Sequence, residues 1–189
     1  MRSVCVFCGS SPGTEPAYSD AAALLGRTVA GRGVRLVYGG GHRGLMGTLA
    51  DAALAEGGEV IGIITQHLVD RELAHQGLTS LQVVEDMHSR KAAMAALAEG
   101  FIALPGGFGT LEEILEVLSW SQLGLHPHPV AFLDIDGFWQ PLLQLFDRQV
   151  ETGFLPAESR ERLISEEDPE ALLDRMAKTT PEIRDRWRD

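Results

Sequence analysis

The chain has 189 residues, 44% of them hydrophobic, and a formal net charge of −11 at pH 7. This acidic balance argues against a nucleic-acid polymer as partner, because polymer binding needs a broad basic face, but a single nucleotide needs only a few local donors. No apolar run is long enough to cross a bilayer and no signal-peptide pattern opens the chain, so we expect a cytoplasmic protein without a membrane partner.

Strand-like and helix-like segments alternate along the chain. Short apolar runs predict strands over residues 4–8, 35–38, 60–64, 81–84, 101–104 and 130–133. Helical periodicity predicts helices over residues 16–31, 45–56, 89–99, 110–123 and 138–152. This alternation is typical of an α/β, doubly wound parallel sheet of Rossmann-like type, which binds its ligands at the carboxyl ends of the strands.

The chain length predicts a single domain over residues 1–189. Residues 65–79 show no clean period and predict a loop with a short helix. From about residue 158 the sequence is dense in charge, which predicts a peripheral C-terminal extension. Within that extension, residues 169–178 are consistent with a packed helix, and residues 179–189 with a frayed end.

Residues 104–113 read LPGGFGTLEE and directly follow a predicted strand. Glycines permit positive φ and a close approach of a ligand to the backbone. The first turn of the helix that follows offers unpaired N–H groups and the positive end of its dipole. Together these features predict a phosphate site at Gly106, Gly107, Gly109 and Thr110. We expect Glu112 and Glu113 to lie in the first helical turn, beside the bound anion.

A second glycine turn, at residues 39–44, fits the GxGxxG pattern of dinucleotide-binding proteins. It supports an NAD(P)-dependent oxidoreductase as one alternative function. The turn follows the second predicted strand, however, and not the first, so we expect it to line a nucleotide pocket without holding NAD(P). Neither glycine turn ends in GK[ST], which disfavours a nucleoside triphosphate site.

The other candidate groups give weaker signals. Arg90 and Lys91 open a predicted helix, where cations oppose the helix dipole unless an anionic substrate lies nearby, so a solvated surface pair stays an alternative. Cys5 and Cys8 form a CxxC motif in what reads as a buried strand, where residues three apart point to opposite faces, so we expect neither redox nor metal chemistry. His126 and His128 have no acid or cysteine at a recognisable ligand spacing, and we predict no metal site.

Several motifs together resemble the LOG ("Lonely guy") family, whose members activate cytokinins by phosphoribohydrolysis. The segment PGGFGTLEE at residues 105–113 is similar to the family signature PGGxGTxxE. Further matches, in the family's order, are VFCGSSPG at 6–13, YGGGHRGLMG at 38–47, DMHSRKAAM at 86–94 and SWSQLGLH at 119–126. The resemblance extends to about residue 143 and is weak beyond it.

The resemblance implies roles for individual residues. It implies that Arg90 and Glu113 are catalytic and that Lys91 lies at the nucleotide. The RELA segment, residues 71–74, is similar to one that supplies a substrate-binding glutamate in the family, here Glu72. Other substrate-binding positions implied by the matched motifs are Ser10, Gly41, Gly106, Gly107, Phe108, Gly109, Thr110 and Ser119. Ser119 replaces a threonine that is often found there, and a hydroxyl is kept.

The resulting hypothesis is a hydrolase that cleaves the N-glycosidic bond of an N6-modified adenosine 5′-monophosphate, or of AMP, to the free base and ribose 5-phosphate. The resemblance implies a homodimer, and no cofactor is required. Homologues have often been labelled lysine decarboxylases, but only Lys91 and Lys178 are available to bind pyridoxal phosphate. A non-catalytic nucleotide-binding or cofactor-carrier protein of the same fold is an alternative, since a fold does not fix a function.

Overall fold

The computed structural model describes residues 1–71 and 73–179. Its strands are β1 (Ser3–Phe7), β2 (Arg35–Tyr38), β3 (Val60–Thr65), β4 (Ser80–Val84), β5 (Phe101–Ala103), β6 (Val130–Leu133) and β7 (Ile164–Glu166). Its helices are α1 (Pro16–Gly31), α2 (Gly44–Ala55), α3 (Gln66–Val69), α4 (Met87–Ala96), α5 (Phe108–Gln122), α6 (Gln140–Glu151), α7 (Ala157–Glu161) and α8 (Pro169–Lys178), with a 3-10 turn at Ile135–Gly137.

The strands form one seven-stranded sheet in the order β4-β3-β2-β1-β5-β6-β7. Every neighbouring pair is parallel, so the predicted doubly wound α/β fold is confirmed. The chain proceeds from β1 outward to β4, then returns to β5 on the other side of β1. The order therefore reverses between β1 and β5, and the carboxyl ends of these two strands border the crevice where such folds bind ligands.

The two faces of the sheet carry separate hydrophobic cores. One core joins the sheet to α1, α2 and α8, and the other joins it to α4, α5 and α6. Cys5 belongs to the second core and Cys8 to the first, as their spacing on a strand predicts. Both thiols are free and buried, and burial raises their pKa, which leaves them protonated and unreactive.

Two helices begin two residues earlier than the sequence predicts. Helix α4 starts at Met87, two residues before the predicted start, because the Asp86 carboxylate accepts a hydrogen bond from the Ser89 N–H at 2.7 Å and caps the first turn. Helix α5 starts at Phe108, two residues before Thr110, with Gly107 as its N-cap residue. Glu112 and Glu113 therefore lie in the second turn of α5, and their predicted position in the first turn is wrong.

The extension that was predicted to be peripheral contributes to the sheet and to the core as far as residue 178. Strand β7 pairs with β6, and the Asp134 N–H donates to the Glu166 carbonyl at 2.8 Å. Helix α8 buries Leu172, Leu173 and Met176 in the first core. The helix predicted over residues 169–178 is thus confirmed as α8, and only its peripheral position is wrong. Strand β7 was missed because it has only three residues. The end predicted to be frayed lies, apart from Thr179, outside the described residues.

Candidate active site

The loops that follow β1 and β5 meet at the point where the strand order reverses. The Gly9 N–H donates to the Pro105 carbonyl at 3.0 Å, and a Cβ on Gly9 would lie 3.5 Å from the Gly106 Cα. Ser10 is exposed beside this contact. The predicted phosphate site therefore lies at the sheet position where ligands of this fold bind.

The N-terminus of α5 has the form of an anion site. Among the described residues, no side chain caps Gly107. Apart from the adjacent residues and the backbone of α5 itself, no atom lies within 4 Å of the position that a Cβ would take on Gly107 or Gly109. The backbone N–H groups of the first turn are therefore open to an approaching phosphate. Phe108 is 93% exposed at the same turn.

Gly106 and Thr110 fit together below this turn. The Thr110 side chain is buried, and a Cβ on Gly106 would lie 2.1 Å from the Thr110 Oγ1. Any side chain at residue 106 would displace Thr110. The glycine is thus required by packing between the loop and the helix as well as by a close approach of a ligand.

Arg90 is held by two main-chain carbonyls, that of Ile63 within β3 and that of Gly39 directly after β2. Its side chain is 5% exposed, its Nε donates to the Ile63 carbonyl and its Nη2 to the Gly39 carbonyl, both at 2.9 Å. The remaining amino group, Nη1, lies 3.4 Å from a Glu113 carboxylate oxygen. The structure brings Arg90 and Glu113 together as a buried pair between α4 and α5.

Glu113 has an environment that brings its ionisation near neutral pH. Burial raises its pKa to about 7, and the neighbouring Glu112 carboxylate acts in the same direction. The Arg90 guanidinium opposes this shift and is the stronger of the two charge effects. Glu113 can therefore hold a proton or act as a carboxylate within the pH range where enzymes usually work.

Lys91 is paired with α5. Its side chain is 8% exposed, and its Nζ contacts the Glu112 carboxylate and a Glu116 oxygen at 3.1 Å. Burial alone would lower the Lys91 pKa, but hydrogen bonds to these two carboxylates outweigh it and raise the pKa. The side chain thus stays protonated, and its predicted contact with a nucleotide stays a prediction.

Ser119 lies away from the Arg90–Glu113 pair. Ser119 is exposed, and its hydroxyl donates to the Leu115 carbonyl of the same helix at 2.9 Å. It lies six residues beyond Glu113, or about 9 Å along the axis of α5, so this chain alone does not bring it to the Arg90–Glu113 pair. Glu72 lies outside the described residues.

The GGG run at residues 39–41 has a role that its dinucleotide-like pattern concealed. A Cβ on Gly39 would lie 1.9 Å from the Arg90 Nη2, so the glycine makes room for the buried guanidinium. The Gly39 and Ile63 carbonyls were missed as partners of Arg90, because carbonyl positions leave no mark in a sequence. The run of three glycines was the one available signal that something approaches this backbone closely.

The second glycine turn is covered by other parts of the chain. The His42 N–H donates to the Leu73 carbonyl, the His75 N–H donates to the Gly40 carbonyl, and Gly41 forms an isolated antiparallel bridge with Ala74. Gly41 is half-buried within this arrangement, and its carbonyl accepts a hydrogen bond from the Tyr38 hydroxyl at 3.1 Å. A Cβ on Gly44, at the start of α2, would lie 2.4 Å from the Ser10 carbonyl carbon.

We therefore expect no tight binding of NAD(H) or NADP(H). A dinucleotide pyrophosphate needs the backbone of the glycine turn and the start of the next helix, and here protein segments contact both. Isothermal titration calorimetry with each of the four cofactor forms measures this directly. A micromolar dissociation constant for any of them would place the oxidoreductase alternative first.

The structure also bears on metals and on pyridoxal phosphate. Over residues 1–71 and 73–179, no group of three or more His, Cys, Asp or Glu side chains could hold a metal ion. Pyridoxal phosphate needs a lysine that reacts as a neutral amine. Lys91 is fixed in its charged form by two carboxylates, and Lys178 is at the far end of α8, so these residues do not fit the cofactor.

Over residues 1–71 and 73–179, no helix is both long and apolar enough to cross a membrane.

The fold and the site define a Rossmann-like α/β protein with a buried Arg–Glu pair beside an open helix N-terminus. A family model described as "Possible lysine decarboxylase" matches residues 46–176. The chain is 46% identical over 181 residues to the cytokinin riboside 5′-monophosphate phosphoribohydrolase LOG3 of Arabidopsis thaliana, spanning 96% of this chain and 84% of that protein. It is 45% identical over 182 residues to LOG of Oryza sativa subsp. japonica, spanning 96% of this chain and 75% of that protein. The chain belongs to the LOG family.

Solved structures share the fold at lower identity. The molybdenum cofactor binding protein from Rippkaea orientalis superposes with a TM-score of 0.71 at 20% identity, covering 94% of this chain and 96% of that one. The molybdenum cofactor carrier protein from Chlamydomonas reinhardtii gives a TM-score of 0.70 at 19% identity, with the same two coverages. At this identity the likeness concerns the fold alone.

Proposed function

We propose that this protein hydrolyses the N-glycosidic bond of an adenosine 5′-monophosphate, with N6-modified adenine as the preferred base and plain AMP as a further substrate. The observation that carries the proposal is the buried Arg90–Glu113 pair, which lies beside the open N-terminus of α5. Relatives at 45–46% identity that are named cytokinin riboside 5′-monophosphate phosphoribohydrolases support it. A cytoplasmic location is part of the same proposal.

The geometry supports phosphate binding at the start of α5 and catalysis further along the same helix. The first-turn N–H groups, with Thr110, bind the 5′-phosphate. Glu113 lies six residues beyond Gly107, about 9 Å along the helix axis, which leaves space for the ribose between phosphate and carboxylate. Water supplies a hydroxyl to C1′ and a proton to the departing base nitrogen, so the products are free base and ribose 5-phosphate.

Charge develops on the ribose as the bond to the base breaks. The anomeric carbon acquires oxocarbenium character, which a carboxylate stabilises. Glu113 in its ionised form stabilises this cation or activates the attacking water. Arg90, fixed by two carbonyls, holds the phosphate-ribose portion or assists departure of the base. Because the pair is buried, its electrostatic effect is larger than it would be in water.

This mechanism requires kcat/KM to rise with pH. Burial raises the Glu113 pKa to about 7, so the active carboxylate is depleted below that pH and complete above it. We expect log kcat/KM to increase with a slope of about one up to about pH 7 and then to level. A profile measured from pH 5 to 9 tests this, and Glu113→Gln should lack the rising limb. A rate that falls through pH 7 would instead assign the active role to protonated Glu113.

Base release is the direct test of the proposed function. The purified protein is incubated with AMP or with N6-isopentenyladenosine monophosphate, and free base is separated by chromatography. We expect release from both and faster release from the N6-modified substrate. Tight nucleotide binding without any base release would favour the alternative, a non-catalytic nucleotide-binding or cofactor-carrier protein of this fold.

A homodimer is part of the proposal, supported by an exposed apolar face on α5. Leu115 and Leu123 are 38% and 48% exposed, and Phe108 at the start of the same face is exposed as well. Ser119 lies between the two leucines at helical spacing, so a second copy on this face would cover its hydroxyl. Light scattering of the purified protein should give twice the chain mass of 20.5 kDa, and a monomer at micromolar concentration would contradict this part.

A further inference from the structure

Two neighbouring carbonyls of the second glycine turn accept hydrogen bonds from distant parts of the chain. The Gly39 carbonyl accepts from the Arg90 Nη2 at 2.9 Å. The Gly40 carbonyl accepts from the backbone N–H of His75, also at 2.9 Å. The planar peptide units that carry these two carbonyls meet at the Gly40 Cα. The contact that fixes Arg90 is therefore directly linked to the contact that joins the turn to His75.

The run of glycines at residues 39–41 does not hold this shape by its own sterics. Glycine has the widest choice of backbone conformations and loses the most freedom on folding. Gly40 has a φ of +73°, in the left-handed region that glycine adopts readily. Contacts from outside the run are therefore needed to keep the Gly39 carbonyl directed at the guanidinium.

The His75 side chain is fixed at both ring nitrogens. Its Nδ1 accepts from the Gly77 N–H at 3.0 Å, so the ring proton is on Nε2, which donates to the Asp51 Oδ1 at 2.9 Å. The His75 side chain is 10% exposed, whereas that of Asp51, on α2, is 72% exposed. Asp51 thus anchors a nearly buried imidazole to α2.

This anchor differs from the other contacts of the same segment. Leu73 and Ala74 contact the second glycine turn through their main chains, so these contacts can move together with the turn. The contact between His75 and Asp51 instead joins the segment to α2, which is packed into the first core. A rigid element therefore holds the segment, and the segment holds the glycines.

We propose that His75 is a positioning residue that acts through Arg90: anchored on Asp51, its side chain holds the second glycine turn in the shape that fixes the guanidinium. Arg90 in turn stays in contact with Glu113. The effect on catalysis rests on the proposed function, whereas the effect on the Arg90–Glu113 contact does not.

The ionisation of Glu113 depends on where Arg90 lies. Burial raises the Glu113 pKa, and Arg90 is the strongest of the charges that act on it and lowers it, so a guanidinium that moves away should let the pKa rise further. The other charged and titratable groups around Glu113 stay the same in the variants below: Lys91 of α4, Glu112 and Glu116 of α5, and the thiols of Cys5 and Cys8.

The first test compares two substitutions of Asp51. Asp51→Ala removes the acceptor of the His75 Nε2–H at an exposed helical position, where alanine is well tolerated. We expect the rising limb of kcat/KM to move up by about half a pH unit, and kcat at pH 6 to fall about threefold or more while KM changes less than about twofold. Asp51→Asn keeps an oxygen acceptor and should not move the limb upward.

The direction of the shift separates positioning from charge. Both Asp51 variants lose the same negative charge, which by itself would favour ionised Glu113 and move the limb down. Glu56→Ala removes an exposed acid directly after α2 and should leave the limb in place. A downward or absent shift in Asp51→Ala, or an equal upward shift in Asp51→Asn, would overturn the proposal. A tenfold increase in KM with an unmoved limb would do so too, because the segment would then act on substrate binding.

The second test substitutes His75 itself. His75→Gln can place an amide donor near the position of Nε2 and keep the contact with Asp51, whereas His75→Asn is too short to reach it. We expect the wild-type limb for His75→Gln and the raised limb for His75→Asn. Adding Asp51→Ala to His75→Asn should raise the limb no further, since both changes break one contact. Two shifts that add would contradict the shared role.

Two NMR measurements on the free protein need no catalysis. The His75 backbone N–H should exchange with solvent about tenfold faster or more in Asp51→Ala, because the segment opens more often. The carbon-13 signal of the Glu113 carboxyl, assigned by its loss in Glu113→Gln, should titrate at higher pH in Asp51→Ala and not in Asp51→Asn. If the wild type releases no base, the proposed function fails while these measurements still decide the role of His75. An unmoved Glu113 midpoint in Asp51→Ala would overturn that role.

Discussion

Glu113→Gln should lower kcat by about two to three decades, equivalent to about 3–4 kcal/mol of transition-state stabilisation. The substitution keeps the size and hydrogen-bonding shape of the side chain but removes the charge that meets the developing cation. Binding of the monophosphate should change far less, because the first-turn N–H groups of α5 and Thr110 are unaltered. Steady-state rates of base release and a separate binding titration measure the two quantities.

Glu112→Gln is the matched control for this result. Glu112 is the adjacent residue on the same helix, but its side chain is largely exposed and faces Lys91, not Arg90. We expect its kcat at pH 8 to stay within about threefold of the wild type, since pH 8 lies above the Glu113 pKa of about 7 and the carboxylate form predominates. Near-normal turnover of Glu113→Gln together with a loss in Glu112→Gln would reverse the assignment of the catalytic acid.

Arg90→Ala should abolish turnover without unfolding the chain. It removes a buried cation, but Glu113 can take up a proton in response, so the core need not hold an unpaired charge. Circular dichroism at pH 6 checks the fold, and base release checks the activity. Activity close to that of the wild type would remove Arg90 from the proposed mechanism.

The second large effect concerns the 5′-phosphate. A nucleoside that lacks it should have kcat/KM about a thousandfold lower than the monophosphate, equivalent to about 4 kcal/mol, with a loss in kcat as well as in affinity. The phosphate binds far from the bond that breaks, and binding energy at a remote group can be used to orient and distort the substrate at the reacting centre. The di- and triphosphates should also be poor substrates, because the turn has no P-loop lysine and is sized for one phosphate.

The measurement is kcat/KM for adenosine, AMP, ADP and ATP, and for the N6-isopentenyl nucleoside with its monophosphate.

Gly109→Ala tests the same phosphate site by changing the protein. Apart from the adjacent residues and the backbone of α5 itself, a Cβ there meets no described atom within 4 Å, so the fold should survive while the methyl group intrudes on the phosphate. Gly31→Ala, at the end of α1, is equally free of contacts and serves as control. Equal kcat/KM values for nucleoside and monophosphate would contradict the proposed role of the 5′-phosphate and with it the proposed function.

Much of the fold and part of the site follow from local patterns. A strand or a helix imposes its own period on the apolar residues, so the alternation of elements could be read directly from the sequence. The turn at residues 105–109 was equally legible, because glycines before a helix start are a local requirement of the backbone. Strand β7 was missed because it has only three residues, whereas the helix over residues 169–178 was predicted and only its peripheral position was wrong.

The partners of the site residues depended on long-range geometry. The Arg90–Glu113 contact joins positions 23 residues apart, and the Gly39 carbonyl that holds Arg90 is 51 residues away. These contacts follow from the way β1 to β4 turn outward and β5 returns to the centre, which brings α4 against α5 on one face. The pairing of Lys91 with Glu112 and Glu116 has the same origin, and the resemblance to the family did not indicate it. Local patterns specify elements and turns, whereas the neighbours of a buried charge depend on how distant elements pack.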